Sequence, residues 1–193
     1  MDKKINWWTP QIGTEEYQLI KTVLDSNFLN DGEFTELFEK KIAELLGVKH
    51  VVAVTNGTSA LFLALVAAGV GHDDEVIVPD ITFIATANAV VMAGAKPVLV
   101  DVNPLTLNID IAEIKKALTR RTKAIIPVHI SGRAVEMNPI LEFAKKNGLH
   151  VIEDAAEGLL SKYPGYSGKY LGTLGQAGCL SFSPNKTITT GQG

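Results

Sequence analysis

The sequence predicts an α/β fold: three layers, α/β/α, around a mostly parallel sheet. From about residue 50 onward, short runs rich in Val and Ile alternate with longer segments of helical character, the pattern of βα units. These runs are apolar at nearly every position instead of every second one, as in strands covered on both faces. The 193 residues are 46% hydrophobic and 20% charged, the balance of a globular domain.

Residues 14–24 and 33–46 read as helices, the second closed by Gly47, with 27–32 as the loop between them. Strands are predicted over 50–55, 75–79, 97–102, 124–129, 150–153 and 178–182. Helices are predicted over 59–68, 85–93, 111–118 and 137–147, the last closed by Gly148. Residues 163–178, rich in Gly, Tyr and Ser, read as one long loop or a small hairpin. Two parts are expected: an N-terminal helical and interface segment, 1–35, and a large domain, 36–193. The sequence stops at Thr-Thr-Gly-Gln-Gly, a turn-like run just after a strand, so a C-terminally truncated domain is expected.

Several function classes are disfavoured by composition. A net charge of −3 offers no basic surface for nucleic acid, and no nucleic-acid partner is expected. The single cysteine, Cys179, has no internal disulfide partner, and histidines at 50, 72, 129 and 150 have no metal-ligand spacing, so no metal is expected. The most apolar stretch, 61–70, is too short to span a bilayer, and the N-terminus lacks a signal-peptide core. A cytoplasmic protein with small, soluble partners fits best.

In an open α/β sheet the ligand site lies beyond the carboxyl ends of the strands. After the first predicted strand comes Asn56-Gly57-Thr58-Ser59, where glycine permits a tight turn and helix-opening amides suit a phosphate. The competing reading is that Thr58 or Ser59 only caps the helix. Phe83, after the second strand, is placed either to stack on a planar cofactor or to fill the core. The fifth strand ends in Glu153, Asp154 and Glu157, acids that a buried strand does not carry without a partner. A cationic ligand group is one such partner; an N-cap or a neighbouring Lys or Arg is another. The last strand leads into Leu-Ser-Phe-Ser-Pro-Asn-Lys, bringing Ser181 and Lys186 to the same edge. A lysine in a partly dry pocket forms Schiff bases, whereas most lysines are solvated surface charges.

The blocks NGTSALFLAL, PDITFIATANAV, PVLVDVNPLTLNID, PVHISGR, VIEDAAE and SFSPNKTITTGQG carry these features in chain order. Over nearly its whole length the sequence resembles the DegT/DnrJ/StrS-type family of nucleotide-sugar aminotransferases dependent on pyridoxal 5'-phosphate (PLP). These have the aspartate-aminotransferase-like, fold type I architecture, of which this would be the large domain. The resemblance implies that Lys186 carries PLP as a Schiff base, Asp154 pairs with the pyridine nitrogen and Phe83 stacks on the ring. Gly57, Thr58 and Ser181 would hold the phosphate, and Glu157 would lie near the ring hydroxyl, where many members carry glutamine. It also implies amino transfer from an amino acid, glutamate, to a nucleotide-linked keto sugar, by a homodimer with shared active sites.

Three features depart from the common pattern. Ser131 and Arg133 stand where many members carry tyrosine and glutamine. The Asp154–Lys186 spacing, 186 − 154 = 32 positions, is a few longer than usual, with the excess in 162–168. Members are also about twice this length, with a smaller second domain. Two other functions compete: a PLP-dependent sugar dehydratase of the same family, which has histidine where Lys186 stands, and a truncated, non-catalytic module.

Overall fold

The computed structural model describes Ile5, Asn6 and residues 8–192. Its contacts form two compact units, one ending at Ala53 and one beginning at Val54. The first contains α1 (Thr14–Ser26) and α2 (Glu33–Leu46). The Glu16 carboxylate accepts the Gly13 N–H at 2.7 Å where α1 begins, satisfying one of the free donors of a helix start. At the other end Asn27 turns left-handed, φ 55°. Tyr17, Ile20 and Leu24 form a stripe along α1, yet no residue of this helix is buried. Helix α2 buries Ile42 and Leu46 and stops at Gly47, as its sequence predicts.

The second unit runs α3 (Gly57–Ala67), β1 (Glu75–Pro79), α4 (Ala85–Met92), β2 (Lys96–Val100), α5 (Ile111–Ala117), β3 (Thr122–Ile125), a 3-10 turn (Ile130–Gly132), α6 (Met137–Asn147), β4 (His150–Asp154) and β5 (Ala177–Cys179). The five strands form one sheet in the order β2-β1-β3-β4-β5, with every neighbouring pair parallel. All carboxyl ends therefore lie on one edge, and the chain switches sides of the sheet between β1 and β3.

Strand alternation sorts the core into two layers. Ile77, Ile125 and Val151 face a cluster with Ile114 of α5 and Met137, Ile140 and Ala144 of α6. Val76, Val78, Ala124, Ile126 and Ile152 face the opposite cluster, with Leu61 and Leu65 of α3 and Ala89 and Val90 of α4. This is the three-layer arrangement predicted from continuous apolar runs.

The main differences from expectation are one strand that does not form and two that end early. Residues 50–55 form no strand: a strand exists only where its backbone groups meet another, and this segment has no ladder among the described residues. Strand β3 stops at Ile125, short of the expected 129, because Pro127 has no N–H to donate. The chain still follows β4, since Pro127 O accepts the Asp154 N–H at 2.9 Å. Strand β5 stops at Cys179, short of 182, because β4 beside it ends at Asp154. The small-hairpin alternative for 163–178 is present but begins earlier, with Lys162 and Tyr170 bridged antiparallel and the Leu171 N–H donating to Ser161 O at 2.9 Å.

Gly178 in β5 has no room for a side chain, since a Cβ there would lie 1.9 Å from Gly172 O. Gly71 has open space and no positive φ. Gly178→Ala should therefore destabilise by about 1–3 kcal/mol or more, and Gly71→Ala by no more than about 0.5 kcal/mol. Urea midpoints of the two variants check this; equal midpoints would contradict the close packing of β5.

Candidate functional site

The carboxyl edge of the sheet gathers the chemistry-bearing residues of the second unit. Helix α3 begins there: Asn56 Oδ1 accepts the Ser59 N–H at 2.9 Å, so Asn56, not Thr58 or Ser59, supplies the helix cap. Thr58 stands in the first turn, where backbone N–H groups have no partner within the helix. Gly57 allows this turn to approach the segment after β5. A Cβ at Gly57 would lie 3.1 Å from Ser181 Cβ and 3.3 Å from Leu180 O. Ser181 is buried, and its hydroxyl lies 3.0 Å from Ser183 Oγ. Helix-start amides and hydroxyls in one small space are the donor set that a phosphate needs.

Asp154 closes β4 on the α3/α4 side and is 6% exposed. Its Oδ2 accepts from Thr86 Oγ1 at 2.7 Å and its Oδ1 from the Ala156 N–H at 3.2 Å. Thr86 Oγ1 is also 2.7 Å from Thr82 Oγ1. Burial pushes the Asp154 carboxyl above the usual aspartate range, against the opposing pull of Thr86, Ala156 and the Lys186 charge. This is a carboxylate with less stabilisation than its burial requires.

Lys186 follows a turn in which its N–H donates to Ser183 O at 3.0 Å. Its side chain is 15% exposed, so it is not a solvated surface lysine. Its Nζ lies 3.3 Å from Glu157 Oε1, and Glu157 Oε2 accepts the Ser131 N–H at 2.8 Å. Ser131 holds a left-handed φ of 51°, uncommon for a residue with a side chain, and this turn aims its amide at Glu157. Phe83 is 73% exposed, which removes the core reading. Its carbonyl accepts the Thr86 N–H at 3.1 Å, placing its loop one turn before the residue that meets Asp154.

The structure thus pairs Gly57 with Ser181, and Glu157 with Lys186, and brings the Lys186 charge to bear on Asp154. Two groups at this edge were not singled out from sequence. Thr86 reads there as one more polar residue in an apolar helix; its spacing of four from Thr82 is the available signal. The other is the pairing of Glu153, an acid already marked by its place on an apolar strand, with His129 and Tyr163 on the reverse face of β4. Glu153 Oε2 accepts from His129 Nε2 at 3.0 Å and from the Tyr163 hydroxyl. Burial alone would raise the Glu153 carboxyl; hydrogen bonds from His129, the Gly175 N–H and Tyr163 outweigh it and hold the carboxyl below the usual range.

Comparison with known proteins gives consistent relatives. The chain is 47% identical over 191 residues to a GDP-perosamine synthase of Caulobacter vibrioides, covering 98% of this chain and 51% of that one. The aminotransferase TlmJ from Streptoalloteichus hindustanus superposes with a TM-score of 0.91 at 37% identity, over 98% of this chain and 51% of that one. NtdA from Bacillus subtilis, solved with bound cofactor PMP, gives 0.81 at 36% identity, over 92% and 40%. The chain spans about half the length of the curated relatives it matches. Residues 10–193 match the family model, and the chain belongs to the DegT/DnrJ/EryC1/StrS aminotransferase family.

Proposed function

We propose that this chain is the cofactor-binding part of a PLP-dependent aminotransferase that carries an amino group from glutamate to a nucleotide-linked keto sugar. The observation that carries the reading is Asp154: buried, short of donors, and at the same sheet edge as a helix start, two serines and a shielded lysine. A cationic nitrogen set against that carboxylate would supply what burial withholds. The relatives favour the same reading, since one is solved with PMP and another is a GDP-perosamine synthase. In this reading the protein works in the cytoplasm as a homodimer, residues 36–193 form its large domain, and activity belongs to a protein of the relatives' length.

The residues present fit PLP. Gly57 leaves the close space in which the α3 amides, Thr58 and Ser181 would receive a phosphate. Asp154 would hold a proton on the pyridine nitrogen, Phe83 would cover a ring face, and Glu157 would border the ring hydroxyl. Bound there, PLP supplies an electron sink for charge that develops at the amino-acid Cα. Lys186 Nζ would anchor the cofactor and, as a free amine, would move a proton between the amino-acid Cα and the cofactor carbon. Glu157, itself held by the Ser131 N–H, orients Nζ between these tasks.

Borohydride reduction of protein treated with PLP, followed by peptide mapping, should place the label on Lys186. Lys186→Ala should lose that label and lower transamination at least ~100-fold, the scale of a lost acid–base group. A label on another lysine would overturn the assignment.

Asp154 gives a second prediction with a defined sign. A carboxyl raised in the folded state contributes stability that is present below its unfolded pKa and lost as pH rises through its folded pKa. Asp154→Asn should therefore raise the melting temperature of the cofactor-free protein at pH 7, by about 2–4 °C for each kcal/mol recovered, and change it little near pH 3. The same substitution should lower transamination. Thermal melts at both pH values check this, and an unchanged or lower melting temperature at pH 7 would contradict the unmet carboxylate.

A further inference from the structure

Directly behind Asp154, on the opposite face of β4, lies a second carboxylate for which the reaction has no use. Glu153 is fully buried. Its Oε1 accepts the Leu174 and Gly175 N–H groups at 2.7 and 2.6 Å, and its Oε2 accepts from His129 Nε2 and the Tyr163 hydroxyl. His129 Nδ1 accepts the Val135 N–H at 3.1 Å, so the ring proton sits on Nε2, facing Glu153. On the same side of the sheet Val151, Ala155 and Leu171 belong to one buried apolar cluster. Buried ionic networks of this kind are often no more stabilising than an apolar core of the same volume. What such a network adds is a defined position for each member.

The members belong to three segments that meet around Asp154. His129 also donates its backbone N–H to Asp154 O at 3.0 Å, and Asp154 N–H donates to Pro127 O at 2.9 Å. Pinning the His129 ring therefore pins the backbone beside Asp154. Leu174 and Gly175 lead into β5, where Cys179 pairs with Asp154 and whose exit carries Ser181. Tyr163 anchors the hairpin that follows Glu157. One carboxylate thus ties the supports of Asp154 on both sides. The titratable groups around it are His129 and Tyr163 on its own face, and Asp154 and Cys179 across the strand.

We propose that Glu153 is a positioning residue, which through His129, Tyr163 and the 174–175 amides holds the Asp154 carboxylate in line with the pyridine nitrogen of the cofactor. The inference rests on the role proposed above for Asp154. It concerns how that role is maintained, and it predicts that damage on the reverse face of β4 appears at the ring nitrogen.

The test uses full-length protein loaded with PLP labelled with 15N at the pyridine nitrogen, and reads the nitrogen chemical shift. Glu153→Gln keeps an acceptor for the 174–175 amides but sets an NH2 group against the His129 Nε2–H. With Asp154→Asn, the shift should move to the value of an unprotonated ring. With Glu153→Gln it should move in the same direction by a smaller amount, in protein that retains a cooperative thermal melt. A wild-type shift in folded Glu153→Gln, alongside a displaced shift in Asp154→Asn, overturns the inference and leaves the reading of Asp154 intact. If Glu153→Gln does not fold, Tyr163→Phe, which removes one hydroxyl, decides on the same two outcomes. An unchanged shift in Asp154→Asn removes the reading of Asp154 and this inference with it.

Discussion

The period of two along β4 is the constraint on which the site depends, because it sends neighbouring side chains to opposite layers. Glu153 points toward the α5/α6 side and meets two amides, an imidazole and a phenol. Asp154 points toward the α3/α4 side and meets one hydroxyl and one amide. Two carboxylates one residue apart are thereby driven in opposite directions, one held as an anion and the other raised by burial. Divergent environments for adjacent acids commonly mark a division of labour between them. Here one is met by four donors and the other by two.

The parallel sheet makes this division useful. Because each strand runs the same way, the turns after β1, β4 and β5 open on one edge, and α3 begins there as well. Residues as distant in sequence as Gly57, Phe83, Asp154 and Lys186 reach that edge without any long excursion of the chain. Phe83 lies at the same edge with its side chain uncovered, its carbonyl accepting the Thr86 N–H.

How much of this was legible in the sequence depends on the range of the interaction that decides each feature. Helices α2 and α6 match their predicted limits because Gly47 and Gly148 stop them locally. Strand limits fared worse, since a ladder ends where its neighbour ends: β5 is cut by the length of β4, and residues 50–55 have the composition of a strand without a ladder. At the site, Asp154, Glu157 and Lys186 were visible as charges out of place on or after apolar strands. Thr86 was not, because nothing in an isolated threonine reveals a hydrogen bond to a residue 68 positions away. His129 was considered only as a metal ligand and set aside; its link to Glu153 across 24 positions and to Tyr163 across 34 is a property of the folded sheet.

The close approach of Gly57 to Ser181 has a consequence for recombination between family members. These positions lie 124 apart (181 − 57), yet each limits the size and backbone path of the other. A chimaera with one crossover between them takes the helix start from one parent and the β5 exit from the other, so both parents' choices at these positions must be compatible. Exchanging the two short segments together keeps each parent's own pairing intact. The smallest transferable piece of this site is therefore a pair of peptides that are distant in the gene and adjacent in the fold.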